Sequence, residues 1–367
     1  MQALIMLPPV GFSEAERWVA AGKRACAQDL VHRLQSVTAI ERIITLCADE
    51  QDYDRFANLG AESRLTGAGS FDFGAVLSDL IASENIQQLA YFGGASAPLL
   101  TADRIDALAG SVIRESSPYA IVNNLHSTDW MLINKAETIL AHRHRFPSDN
   151  PLGWVLSREA GVQVEALEAC AATRLDIDTP TDLLLASEHP AIGPALAGFL
   201  EGASIPKKET IMSLRSVMDT PASTLAVLGR ASAHIWQQLV SRTQIWVRLF
   251  VEERGMVASH RLAKGEVGSL IGQMLDLLGP EEFVSRLNGL ADAALWDTRV
   301  WMATLPEWPS DADRFAADLG WVDAVQNVPL RALTKAIEES SKPILAGGYG
   351  VVGGGLYALL ETLPEVN

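Results

Sequence analysis

Arg174-Leu175-Asp176-Ile177-Asp178-Thr179-Pro180-Thr181-Asp182-Leu183 is the stretch around which the first half of the chain is organised. Read as the end of a short strand, it sets Asp176 and Asp178 at alternate positions, so both carboxylates share one face of extended chain. Thr179 then caps a helix, Pro180 suits its first turn, and Asp182 puts negative charge near its positive end. Two carboxylates that close are costly unless a cation lies between them, and a divalent metal is the simplest one. The competing reading is a strand-to-helix turn with a solvated Asp pair.

Upstream of this stretch, short apolar runs alternate with helical periodicity. Ala3–Leu7 reads as a buried strand ended by Pro8-Pro9, with Gly11 and Gly22-Lys23-Arg24 in the loop before a helix from about Ala27 to Gln35. Arg42–Cys47, Gln88–Phe92 and Tyr119–Asn123 read as strands, and Trp130–Ile133 as a short strand or turn. Phe73–Ser83 and Thr101–Ala109 read as helices. That alternation predicts a mostly parallel sheet covered by helices on both faces. Asn123-Asn124-Leu125-His126-Ser127-Thr128-Asp129-Trp130 follows a strand end, where a parallel sheet places its ligands, although a polar turn held by Asx hydrogen bonds explains it as well.

Three motifs fall in one order: Gly93-Gly94-Ala95-Ser96-Ala97-Pro98-Leu99-Leu100, Asp149-Asn150-Pro151-Leu152-Gly153-Trp154, and Leu175-Asp176-Ile177-Asp178-Thr179-Pro180. Over about residues 1–200 this order resembles the nucleotidyltransferases of the glycosyltransferase-A fold, in particular the molybdenum-cofactor and 2-phospho-lactate guanylyltransferases. The resemblance implies a three-layer α/β domain that transfers a nucleotidyl group from an NTP to a small phosphorylated or anionic acceptor. It implies Mg²⁺ held by Asp176 and Asp178, with Lys23 and Asp178 as the catalytic groups and Gly22, Ser96, Asn123 and Asn124 against the nucleotide. In such enzymes Ser96 is replaced by a metal-holding Asp, and the first loop is glycine-rich. Here the loop holds Pro8 and Pro9, which have no amide hydrogen to donate. Both departures favour the alternative of a catalytically degenerate scaffold acting as a ligand-binding or assembly protein.

The domain boundaries expected from sequence are 1–203 and 208–367, joined through Ile205-Pro206-Lys207-Lys208. Helical patterns dominate the second part: about Lys208–Val217, Pro221–Val227, Ser232–Val240, Val267–Leu278, Glu281–Leu295, Asp311–Leu319 and Leu330–Ser340, with Val247–Val251 open to either structure. A mostly helical, all-α domain is the expectation. Gly229-Arg230 and Glu252-Glu253-Arg254 belong to one series of charged residues there, and Asp297-Thr298-Arg299 and Asp313-Arg314 to another. An Asp-Arg lattice across helices explains the second series. The sharper reading is an anion pocket in which Arg299 and Arg314 act with the turn carrying Gly348 and Gly350.

Composition limits the partners. With 45 Asp and Glu against 29 Lys and Arg, a net charge of −16 argues against nucleic acid and against an anionic membrane surface. The three cysteines, Cys26, Cys47 and Cys170, are dispersed and have no zinc spacing, which suits a reducing cytoplasm. The N-terminal segment lacks the pattern of a signal peptide. Self-association is left open.

Overall fold

Short apolar runs build the central strands of the first sheet, which are buried on both faces, while the edge strands Glu62–Leu65 and Gln163–Ala166 are polar and largely exposed. A computed structural model describes residues 1–67, 71–202 and 206–364. Contacts divide the chain into two units. The first comprises Met1–Val10, Ala20–Asp176 and Gly193–Phe199; the second comprises Gly11–Val19, Ile177–Ile192 and Leu200–Asn367. The chain therefore passes between units several times, not once at residues 203–208. Ile205, in the expected linker, lies outside the described residues.

The elements up to the end of the first sheet are β1 (Gln2–Met6), α1 (Glu14–Gln35), β2 (Arg42–Cys47), α2 (Glu50–Asn58), β3 (Glu62–Leu65), α3 (Phe73–Ser83), β4 (Leu89–Gly93), α4 (Ala102–Arg114), β5 (Tyr119–Val122), β6 (Trp130–Ile133), α5 (Glu137–Leu140), α6 (Leu152–Arg158) and β7 (Gln163–Ala166). The seven strands lie in the order β3-β2-β1-β4-β6-β5-β7. All pairings are parallel except those of β6, which runs antiparallel to β4 and β5. Alternate residues serve opposite cores. Ile5, Phe92, Ile121 and Leu132 pack with α1 and α4, while Leu4, Tyr91, Val122 and Met131 pack with α3 and α6. The three-layer, mostly parallel sheet is the one expected.

Two details of the expected chain path are corrected. α1 starts at Glu14, so Gly22 and Lys23 lie inside a helix and their amides serve its backbone ladder. The Asp176 segment is not a strand: α7 (Ala171–Arg174) precedes it, and among the described residues its sheet-like contact is an antiparallel bridge between Asp176 and Ser96. A turn of helix directly before leaves too few extended residues for a ladder.

The rest of the chain forms α8 (Pro180–Ala186), α9 (Pro194–Gly202), α10 (Lys208–Asp219), β8 (Thr224–Gly229), α11 (Ala233–Arg242), β9 (Trp246–Val251), α12 (Leu270–Leu278), α13 (Pro280–Leu290), β10 (Ala293–Asp297), α14 (Arg299–Met302), α15 (Asp311–Leu319), α16 (Val328–Glu338), β11 (Ile344–Gly347) and α17 (Gly354–Glu361). The second unit is helix-rich, but it is not all-α. It holds a four-stranded, wholly parallel sheet in the order β11-β10-β8-β9. Residues 221–227, expected as a helix, lead into and form most of β8, and the tail of the expected helix 281–295 is the start of β10. Leu225, Ala226 and Val227 are fully buried, and a short run buried on both faces has no period to separate strand from helix. Among the described residues no helix is long and apolar enough to cross a membrane.

Candidate functional site

The carboxyl end of β4 is where the first unit gathers its polar side chains. The loop 94–100 is fixed there by Arg33, whose Nη1 donates to the carbonyls of Ala97, Pro98 and Leu100 at 3.0, 2.8 and 2.8 Å. Ser96 is fully buried, and its hydroxyl donates to the Gly93 carbonyl at 2.8 Å. Its backbone bridges that of Asp176, so the expected neighbourhood of these two residues is present. Asp176 is half-buried, Ile177 buried and Asp178 exposed; Asp176 belongs to the first unit and Asp178 to the second.

Tyr91, one residue earlier on the opposite pleat from Phe92, was not singled out from sequence. Its hydroxyl donates to Asp149 Oδ2 at 2.9 Å. Burial first, then the charges of Asp149, Asp129 and Asp176, push its phenol well above the ordinary range. Three carboxylates from three separate loops therefore act on one hydroxyl. Gly93 lies at their base: a Cβ there would be 3.2 Å from the Asp129 carbonyl and 3.7 Å from Asp149 Oδ2. Asp149 was legible as part of the motif Asp149-Asn150-Pro151, but nothing local tied it to a tyrosine 58 residues away.

Asn123 and Asn124 behave as turn residues. The buried Asn123 side chain accepts from the Asp129 and Trp130 amides and donates to Asp129 Oδ2 at 2.7 Å. Asn124 accepts from the His126 amide. Asn123 thus orients Asp129, and Arg174 closes the same corner by donating to the Asn123 and Leu167 carbonyls.

The basic residues near the first loop divide. Arg24 is buried and doubly paired with Asp52, and its Nη2 also donates to the Pro8 carbonyl at 2.9 Å. Lys23 is half-buried on α1. The charges of Lys23 and Asp176 both reach the thiol of Cys26, which burial pushes up to about 12 and which donates to the Ala95 carbonyl. Among the described residues no three His, Cys, Asp or Glu side chains stand where they could hold a metal ion. The group at position 96, where the resemblance calls for a carboxylate, is a hydroxyl committed to the Gly93 carbonyl.

The expected anion pocket of the second unit is not formed by the arginines named for it. Arg299 is 6% exposed and donates to Asp318 Oδ1 and Oδ2 at 3.0 and 2.6 Å. Arg314 donates to the Pro309 carbonyl and to Asp311, and lies over the Trp308 ring at 5.0 Å. The glycine turn serves packing. A Cβ would come within 2.3 Å of Thr181 at Gly347, 2.7 Å of Thr179 at Gly348, 1.6 Å of Asp182 Oδ1 at Gly350 and 2.4 Å of Leu185 at Gly355. The glycines admit the start of α8, leaving no room there for a ligand. Asp182 closes that helix start, its Oδ2 accepting from the Thr179 amide and hydroxyl at 2.8 and 2.7 Å. Its Oδ1 has no partner among the described residues. Burial first, then the charge of Asp178, raises its carboxyl to about 7.

No protein-family model matches this chain. No curated protein matches it either. Solved structures that resemble it include a cytidylyltransferase from Leptospira borgpetersenii serovar Hardjo-bovis, 13% identical, covering 55% of this chain and 91% of that one, with a TM-score of 0.39. The 4-diphosphocytidyl-2C-methyl-D-erythritol synthase from Anaerococcus prevotii is 13% identical over 46% of this chain and 86% of its own, with a TM-score of 0.34. A CMP:2-keto-3-deoxy-manno-octonic acid synthetase complexed with CTP is 10% identical over 46% of this chain and 89% of its own, also at 0.34. Likeness this slight extends to neither substrate nor chemistry.

Proposed function

We propose that the first unit is a nucleotidyltransferase-like scaffold that binds a nucleotide at the carboxyl edge of its sheet without metal-dependent nucleotidyl transfer. One observation carries this reading. The Ser96 hydroxyl, where the resemblance calls for a metal-holding carboxylate, is buried and donates to the Gly93 carbonyl at 2.8 Å. A neutral oxygen already engaged as a donor is a poor ligand for a divalent ion. The first loop agrees: Pro8 and Pro9 have no amide hydrogen, and Arg24 is occupied by Asp52. The metal implied by the resemblance does not fit these residues, and no step is routed through it.

Polar groups suited to a nucleoside remain. Carboxylates at the carboxyl edge of a parallel sheet accept from ribose hydroxyls and base amino groups. Asp129, oriented by Asn123, and Asp149, oriented by Tyr91, have that character. Lys23 supplies positive charge for the phosphates. The test is a thermal-shift titration with NTPs in the presence of Mg²⁺ and, separately, of a chelator. Ligand that binds the native state raises the midpoint by mass action. The expected result is an equal rise in both conditions, with no pyrophosphate formed. A rise confined to Mg²⁺, or pyrophosphate release, overturns it.

The second reading is transfer of a nucleotidyl group to a small phosphorylated or anionic acceptor, favoured by the bridge that sets Asp176 against Ser96. It requires Mg²⁺-dependent pyrophosphate release that Asp178→Asn reduces by about a thousandfold.

A further inference from the structure

The second unit has its own topological switch point. In the order β11-β10-β8-β9, β8 connects forward to β9 on one side, and the next strand, β10, is laid on the other. Open parallel sheets bind ligands in the crevice that this reversal creates, outside the carboxyl ends of the two strands. Here those ends are Gly229-Arg230 after β8 and Asp297 after β10. The other two strands contribute as well: β9 is followed by Glu252 and Arg254, and β11 by Tyr349.

These side chains meet. Arg230 donates through Nε and Nη2 to the fully buried Asp297 at 2.6 and 3.1 Å. Its guanidinium carbon lies 5.5 Å from the centre of the Tyr349 ring, and that of Arg254 lies 5.3 Å from the same ring. Arg254 also donates to the Tyr349 hydroxyl at 3.1 Å. Gly229 makes the close approach of β8 to β10 possible: at φ +113°, a Cβ would lie 2.7 Å from Asp297. Among the described residues Arg230 Nη1 and Arg254 Nε and Nη1 meet no acceptor, and Arg254 is exposed. α11 begins at Ala233, three residues after Arg230; Ser232 caps the Ile235 amide, and the amides of Ala233 and His234 have no intrahelical acceptor.

We propose that this crevice is a binding site for the phosphate group of a phosphorylated small molecule, clamped between Arg230 and Arg254 and facing the start of α11. The charge balance allows it. Asp297 is already neutralised by Arg230, so the charge of Arg254 is in surplus. Of the carboxylates that follow β9, Glu253 is paired with Arg261, and Glu252 accepts from Ser269 through Oε1 while its buried Oε2 has no partner among the described residues. Burial first, then the charge of Asp297, raises its pKa. Tyr349 carries arginines rather than a base, so the recognised group is the phosphate and not an aromatic ring. This site belongs to the second unit, and the inference stands without the nucleotide site proposed above.

The experiment is calorimetric titration of the intact protein with inorganic phosphate and with glycerol 3-phosphate, alongside hydrogen exchange with and without each. Saturable binding of both is expected, with new protection of residues 230–235 and 252–256. Arg254→Gln removes an exposed side chain and leaves the melting temperature unchanged while weakening binding at least about tenfold, the loss expected for charge-assisted bonds. Arg254→Lys, which keeps the charge and loses the fork, falls between the two. Absence of saturable binding, retention of full affinity in Arg254→Gln, or protection confined to residues outside 230–235 and 252–256 overturns the site. Nucleotide binding by the first unit is read separately, as protection of residues 94–100 and 123–129.

Discussion

Asp182 is a carboxyl with two unlike oxygens, one holding the start of α8 and the other buried without a partner against Gly350. Its folded pKa of about 7 lies above the ordinary 3.8. Between these values the native state keeps a proton that the unfolded state has released, so stability falls as pH rises through this window. The loss is on the order of a few kcal/mol. Asp182→Asn cannot titrate, and urea unfolding from pH 4 to 8 is expected to show the wild-type curve falling towards that of the variant or below it. Parallel curves would remove Asp182 as the cause. Ser96 makes the opposite point about buried charge. Ser96→Asp puts a carboxylate into a site with no exposure, beside Asp176, and deletes the donor to the Gly93 carbonyl. Destabilisation by about 2–4 kcal/mol is expected. If Asp176 can share a cation with the new carboxylate, Mg²⁺ or Mn²⁺ recovers part of that loss and leaves the wild type unmoved. The spacing Thr179-Pro180-Thr181-Asp182 announced the helix start that Asp182 holds, but not the burial of its second oxygen, and nothing local tied the Ser96 hydroxyl to the Gly93 carbonyl. The motif Asp176-Ile177-Asp178 announced a site, but Tyr91 and Asp149 joined it only through the fold.

Elements were legible where their pattern had a period or a punctuated end. α3 matches its expected bounds because Leu77 and Ile81 recur at helical spacing behind an Asp72 cap, and α15 does so behind Ser310. β2 is bounded by turns and also matches. The failures cluster in the second sheet, where Thr224–Gly229 and Ala293–Asp297 are short and almost wholly buried. A strand of that kind is told from a helix by the neighbours it pairs with, which lie tens of residues away. The glycine turn failed for a related reason: its glycines answer to α8, a distant segment in sequence. That origin is testable. Gly350→Ala places a methyl group 1.6 Å from Asp182 Oδ1, so the carboxyl that holds the start of α8 must move. A loss of about 1–3 kcal/mol is expected, as for other overpacked sites. Adding Asp182→Ala should recover part of it, because the two residues share one contact. Strict additivity in that double-mutant cycle would place the strain elsewhere.

At the scale of the whole chain, the division into units does not follow the sequence order, and this decides how the protein can be cut. The second unit takes Gly11–Val19 and Ile177–Ile192 from the first half. Those segments are structural parts of it. Ala15 belongs to its main hydrophobic core, with Trp18 packed against that core. α8 is buried along its whole length, and its Thr179, Thr181, Asp182 and Leu185 fill the space left by the glycines near α17. A fragment of residues 208–367, cut where composition changes, keeps the four strands but loses both segments. It loses Leu183, Leu184 and Leu185 of α8, each fully buried in the intact chain. Burying such a side chain is worth about 1.5–3 kcal/mol, and the net stability of a domain is about 5–15 kcal/mol. Losing several together is therefore enough to unfold it. Fragment 208–367 is expected to give a broad, non-cooperative denaturant transition and to bind a dye specific for exposed apolar surface. Fragment 177–367, which restores α8, is expected to recover a cooperative transition at a lower midpoint than the intact chain. A sharp transition of 208–367 at the midpoint of the intact protein would show that the second unit is continuous in sequence after all, and that the early segments only decorate it.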